Sequence, residues 1–477
     1  MLSRTETSTA GSPPSTAATT PAWPLAMWLV QAVVAAGVCV MGVVRLVQGP
    51  APGRLVWTAM GASIAWLAAV LAVATSRRGR GWLIRNRYQL LLSTAMSVFA
   101  LVVIGEAGVR VGGAADEDGN FYFRGHHLRP FQLPVKRVVA AVAAYRGATS
   151  SVIADDGDTG WAPRPGSRND LYAYNEATMR VSVPSITYAT AAAPGMLRIS
   201  IFGDSFTNGV DEPYQQTWGA RLQHALTTRG RSTEVLNFGV PGYGMDQAFL
   251  RWQKVGTPYQ PAVVVFGLQI ENVKRNVNLL RPLYNRFTDL PFAKPRFVLR
   301  DNRLEVLNVP VVPPEQLAAT IAGIASWPLA SAEAYYDPED YRVRPWHVSR
   351  LATFAAQVAG QSAERDDRVA TAEEGELALR ILAAFKESVE QAGASFVIVH
   401  LPRRGDLAAL DTTGSLPSGD LLRQVDMRFD FVETAGALLE EAKRTSLPSL
   451  FNQSSHYSAA ANRVVSDVLA RRLGEND

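Results

Sequence analysis

The chain has 477 residues, a net charge of +4, a hydrophobic share of 47% and one cysteine. The length allows two or three domains. So small a charge, carried by scattered arginines, leaves no footprint for nucleic acid. Cys39 alone builds no disulfide framework. With no CxxC or HExxH spacing, neither a metal nor a cofactor is expected, and His126-His127 reads as a pair in a surface loop.

Residues 1–21 are rich in Ser, Thr, Ala and Pro and read as a disordered tail. They make a poor signal peptide, because the basic stretch is thin and the apolar run starts late. Three apolar segments come next, at 25–44, 55–75 and 88–105. They approach the length that crosses a hydrocarbon core of ~30 Å. The loop between the second and third carries Arg77, Arg78, Arg80, Arg85 and Arg87, against Arg45 and Arg54 in the loop before it. Positive charge stays inside. Residues 22–105 are therefore expected to form a membrane region of three transmembrane helices in the cytoplasmic membrane. Everything after Gly105 then lies on the periplasmic or extracellular side. Trp23, Trp28, Trp57 and Trp82 sit near segment ends, as interfacial anchors do. Residues 106–194 read as a connector packed partly onto the C-terminal domain.

Residues 197–209, LRISIFGDSFTNG, combine a short apolar run with a Gly203-Asp204 turn that leaves Ser205 at a strand's carboxyl end. The pattern at 218–226 predicts the helix after it. TEVLNFGVPGYGMD at 233–246 is a second strand entering a Gly-rich turn, and AVVVFGLQIEN at 262–272 is a third strand ending in Gln269, Glu271 and Asn272. A flavodoxin-like sheet, ordered 2-1-3-4-5, sets the first strand between these two. Ser205 then has the Gly242 turn on one side and Asn272 on the other. Backbone N–H groups and a side-chain amide are what an acyl-transfer oxyanion needs.

A long insertion is expected at about 277–373. Within it, residues 296–308 suit a β-hairpin around Asp301-Asn302, and the aromatics of 310–346 read as the insertion's own small core. Regular α/β structure resumes with a helix at 374–392 and a strand at 395–401, which sets His400 at its carboxyl end ahead of Arg403 and Arg404. Helices are predicted at 431–444 and 458–473, with His456 just ahead of the last.

GDSFTNG, NFGVPGYG and LFNQSSHYSAAAN, in this order, resemble blocks of the SGNH (GDSL-like) hydrolases over roughly residue 197 to the end. The resemblance implies a three-layer α/β/α hydrolase domain over 195–477, with Ser205 as nucleophile, His456 as base and an oxyanion hole of Ser205, Gly242 and Asn272. Glu271 competes with Asn272 for the third block, where the family's Gly-x-Asn-Asp is altered; an amide suits an oxyanion better than a carboxylate. Gln453 stands where the family carries the aspartate partner of its histidine, which leaves a Ser-His dyad or an acid from elsewhere. Asp204 is expected to fix the turn. The implied activity is hydrolysis of an O-acyl ester, possible O-acetyl included, on a glycan or lipid. Members resembling polysaccharide O-acetylation proteins imply O-acyl transfer to an envelope polysaccharide as an alternative, and a catalytically inactive carbohydrate-binding assembly protein is another.

Overall fold

The computed structural model describes residues 75–148, 151–360 and 371–474, with Ala68 and Ala72 besides. The chain divides between Val111 and Gly112 into two compact units. The first contains α1 (Arg77–Arg85), capped by the Ser76 hydroxyl, and most of α2 (Arg87–Gly112). The first two expected spans lie outside the described residues; the third falls in α2. No helix among the described residues is long and apolar enough to cross a membrane, which corrects the third span alone and leaves the first two untested. Arg87, Glu106 and Arg110 mark the ends of α2, the last two bridged at 2.6 Å.

The second unit is built on a seven-stranded sheet. Its strands are β1 (Ala173–Tyr174), β2 (Arg180–Val181), β3 (Leu197–Phe202), β4 (Thr233–Asn237), β5 (Val263–Leu268), β6 (Ser395–His400) and β7 (Asp430–Val432). Their spatial order is β7-β6-β5-β3-β4-β2-β1. The five from β3 to β7 are parallel, and β3 lies between β4 and β5 as the flavodoxin-like order requires. Near-continuous apolar runs suit strands covered on both faces. One face of β3 sends Phe202 against Phe238, Trp252 and Phe385; the other sends Ile199 and Ile201 into a cluster with Trp218, Val235 and Val265. Burial of each such side chain contributes about 1.5–3 kcal/mol.

Helices complete the layers. On the Phe202 face lies α5 (Ala372–Gln391), whose Thr371 and Glu374 form a capping box. On the other lie α3 (Trp218–Thr228) and α7 (Ala459–Gly474), burying Leu222, Leu226, Val465 and Leu469. Two shorter helices, α4 (Ile270–Arg275) after β5 and α6 (Arg404–Thr413) after β6, stand at the carboxyl ends of their strands.

Residues 112–194 are more than a connector. They supply β2, which pairs antiparallel with β4, and β1, which pairs antiparallel with β2. Trp161, fully buried, donates its indole N–H to the Pro241 carbonyl at 2.9 Å. In the insertion, strands Arg296–Arg300 and Arg303–Leu307 form the hairpin turned by Asp301-Asn302. Trp327, Tyr335 and Tyr336 pack around Leu317, Ile321 and Ile324, but Val138 from the 135–147 helix joins them, so that core is shared. His126-His127 is not a surface loop: it lies in a strand, His126–Leu128, with both rings half-buried. Among the described residues no cluster of His, Cys, Asp and Glu is placed to hold a metal.

Candidate active site

The strand–turn–helix after β3 is shaped by three residues. Gly203 has φ +152, and a Cβ there would strike the Thr207 hydroxyl and approach the Gly267 carbonyl at 3.0 Å. Asp204, fully buried, caps the one-turn helix Ser205–Asn208 by accepting from the Phe206 N–H at 2.9 Å. Its other oxygen accepts from Asn272 Nδ2 at 2.9 Å and Arg275 Nη1 at 3.2 Å. Asp204 is thereby committed to holding the turn. Ser205 opens into a cleft of about 660 Å³ that it lines with Phe206, Gln269, Glu271, Arg403 and His456.

His456 comes to the same cleft from the loop before α7. Asn452 clamps this loop, accepting from the His456 N–H at 3.0 Å and donating its own N–H to the His456 carbonyl at 2.9 Å. Nδ1 of His456 lies 3.1 Å from Asp211 Oδ2. Ser454 hydrogen-bonds the same carboxylate and lies 2.6 Å from Nδ1. An aspartate on Nδ1 fixes the tautomer that leaves Nε2 free to accept a proton. Among the described residues Ser205 and His456 face one cleft without a hydrogen bond joining them, a common state for an unliganded site. Gln453, expected as a possible third member, is exposed and takes no part. The carboxylate that meets His456 is instead that of Asp211, from the loop just after Ser205. A solitary Asp six residues past Ser205 carries no local signal for this role.

Asn272 does not serve the cleft. Its Nδ2 hydrogens go to Asp204 and to the Tyr243 carbonyl at 3.3 Å, and its Oδ1 accepts from the Gln269 N–H at 2.9 Å. This corrects the expectation of an oxyanion donor there. Gln269 lies in the cleft instead. In the parallel β3–β5 register Phe266 pairs with Phe202, so Gln269, just past β5, and Ser205, just past β3, leave the same edge of the sheet. Gln269 is only 1% exposed, lines the cleft, and among the described residues has no partner for either amide atom. A buried, unsatisfied amide costs about 1–3 kcal/mol, and such a group calls for a ligand or a catalytic task. The signal was present in the sequence: Gln269 follows Gly267 at the spacing of the asparagine in Gly-x-Asn.

The Gly242 turn lies beside the nucleophile's turn, with Val240 N–H donating to the Gly203 carbonyl at 3.0 Å. Gly242 has φ +82, and a Cβ there would meet the Arg281 guanidinium at 3.0 Å. Among the described residues the N–H groups of Ser205 and Gly242 donate to nothing, so both remain available.

Glu271 is held in the cleft by Arg275 Nη2 at 2.9 Å, Arg403 Nη1 at 3.0 Å and the Tyr284 hydroxyl. Burial lifts its carboxyl, and these cations and hydrogen bonds more than reverse that, keeping it far below the usual carboxylate range. His400 is buried at the end of β6 with Nδ1 on Glu433 at 2.8 Å, and it does not line the cleft.

The fold and these residues together define a doubly wound α/β/α domain with a serine, a histidine and an aspartate gathered at the strands' carboxyl ends. No family model matches the chain, and no curated protein matches it. Among solved structures it is similar to TesA, at 12% identity over 58% of this chain and 98% of that one, with a TM-score of 0.32. It is also similar to a member of the lipolytic protein G-D-S-L family from Veillonella parvula (10% identity, 59% and 100% covered, TM-score 0.31). A third is the acetyl xylan esterase AlAXEase (11% identity, 58% and 99% covered, TM-score 0.32). Likenesses this loose carry no weight here; the chemistry rests on the chain's own residues.

Proposed function

We propose that this chain is an SGNH-type serine hydrolase that cleaves an O-acyl ester of a glycan or lipid. The observation that carries this reading is the convergence of Ser205, His456 and Gln269 on one cleft, with Asp211 behind the histidine. Ser205 Oγ attacks the ester carbonyl as His456 Nε2 takes its proton, and Asp211 supports the imidazolium. The Ser205 and Gly242 N–H groups and the Gln269 amide donate to the oxyanion. Collapse of the intermediate expels the alcohol, which receives the proton from His456. Water, deprotonated in turn by His456, releases the acid and restores Ser205. A sugar hydroxyl in place of that water makes the same acyl-enzyme an O-acyltransferase.

Labelling of the full-length chain with a fluorophosphonate tests this. Adduct on Ser205, absent in Ser205→Ala and in the unfolded chain, is the expected result; a folded chain that stays unlabelled sinks the reading.

For location, we propose the cytoplasmic membrane, with the arginines of 77–87 on its cytoplasmic side. The support is in the sequence: the apolar lengths of 25–44 and 55–75 and the five arginines at 77–87. Reporter fusions near positions 50 and 80 should report opposite sides.

A further inference from the structure

The loop that carries Asp211 is tied down by residues ahead of β3. Asp211 is exposed and has φ +67. A surface loop residue with so little packing of its own moves unless its backbone is held. Arg180, on β2 and fully buried, donates through Nη1 to the Gly209 carbonyl at 3.3 Å and to Asn208 Oδ1 at 3.0 Å. Its Nη2 donates to the Glu212 carbonyl at 2.8 Å and to the Leu171 carbonyl at 3.2 Å. One guanidinium thus grips the chain on both sides of Asp211. The Tyr172 hydroxyl accepts from the Asp211 N–H at 3.0 Å, and the guanidinium lies 4.4 Å from the centre of the same ring.

A buried cation gives up its hydration, and a brace that serves stability alone is built as well from neutral groups. Among the described residues no carboxylate meets Arg180; carbonyl and amide oxygens and the Tyr172 ring face it. What a guanidinium adds is a rigid planar fork with its donors at fixed angles. The carbonyls of residues 209 and 212 are thereby set relative to each other, and Asp211 sits between them.

We propose that Arg180 and Tyr172 are positioning residues, which hold the Asp211 carboxylate on His456 Nδ1. The proposal rests on the serine-hydrolase reading and adds to it two residues that touch neither ester nor imidazole. Ser454 and His456 reach the carboxylate from the C-terminal loop, whereas Arg180 and Tyr172 hold its backbone from the segment before β3.

Tyr172→Phe removes the acceptor of the Asp211 N–H and leaves the ring beside Arg180. Arg180→Lys keeps the charge and loses the fork. With phenyl acetate and the full-length chain, Tyr172→Phe should lower kcat about tenfold and Arg180→Lys about a hundredfold, each with KM unchanged, as expected for a displaced catalytic group. Either loss should vanish in an Asp211→Asn background, where nothing is left to position. Tyr172→Phe decides alone if Arg180→Lys does not fold. A loss of the same size in that background, or no loss in the single variants, overturns the proposal. Nitrogen NMR shifts of the His456 ring give a readout that needs no turnover. The proton should sit on Nδ1 in the parent and be shared between both nitrogens in Asp211→Asn, Tyr172→Phe and Arg180→Lys. That pattern in a chain whose Ser205 takes no fluorophosphonate keeps the positioning and removes the hydrolase. Parent-like shifts in the Tyr172 and Arg180 variants of an active chain do the reverse.

Discussion

Asp211 Oδ2 lies 3.1 Å from His456 Nδ1, joining two residues 245 positions apart in the chain. The nucleophile and the acid thus come from one loop, and the base alone from the far end. Asp211 has φ +67, a backbone conformation that aspartate tolerates better than most residues.

Asp211→Asn should lower kcat by roughly 10²–10⁴, because an amide allows the wrong tautomer and no longer supports the imidazolium. Gln453→Ala should stay within about twofold of the parent chain, given that surface side chains away from a site rarely matter. Steady-state kinetics on phenyl acetate decides it; equal losses in the two variants would remove Asp211 from the site.

Gln269→Ala should lower kcat by about 10²–10³ with little change in KM, the usual loss for one oxyanion donor. Its melting temperature should hold, since no protein partner is lost. Asn272→Ala should behave in the opposite sense and unfold earlier, as it takes one donor from the buried Asp204 and leaves the Gln269 N–H without its acceptor. Were Asn272→Ala as stable as the parent yet a hundredfold slower, the amide assignment would have to be exchanged.

His456→Ala should abolish turnover about as fully as Ser205→Ala, since residues acting as a unit lose activity non-additively. His400→Ala should retain most activity while losing stability, because Glu433 then loses its hydrogen bond to the ring. Full activity in His456→Ala would falsify the choice of base.

The His127 ring predicts a pH effect away from the site. It is stacked on Phe131 at 3.7 Å and bonded to Asn120 Oδ1 at 2.7 Å, and burial, with Arg286 near, pushes its pKa down to about 3. Unfolded, it titrates near 6.5. The unfolded chain therefore takes up a proton that the folded one refuses. Stability is whole above pH 6.5 and falls as the pH drops toward 3. Urea unfolding between pH 7 and 4 should show a shallower fall in His127→Gln, which keeps a donor for Asn120; parallel curves would mean that other groups set the slope.

Much of this was legible in the sequence. The apolar runs of β3, β5 and β6 announce strands buried on both faces, and right-handed crossovers through helices leave few orders for them. The Gly203-Asp204-Ser205 turn reads directly, because Gly alone suits its φ and the Asp side chain caps within two residues. Such features are local, and local sequence specifies them.

What only the tertiary structure decided was which polar side chain each site residue meets. Asn272 and Gln269 are three residues apart, and either amide could face an oxyanion on paper. Asn272 turns instead to Asp204 and Tyr243, and its oxygen caps α4. That choice depends on Arg275 and Asp204 packing against each other across two strands. Likewise no spacing rule brings Asp211 to His456; the contact exists because α7 packs on α3 and returns the chain to the end of β3. Strand and turn follow from periods of a few residues, whereas the partners of a buried polar group are set by contacts hundreds of residues apart.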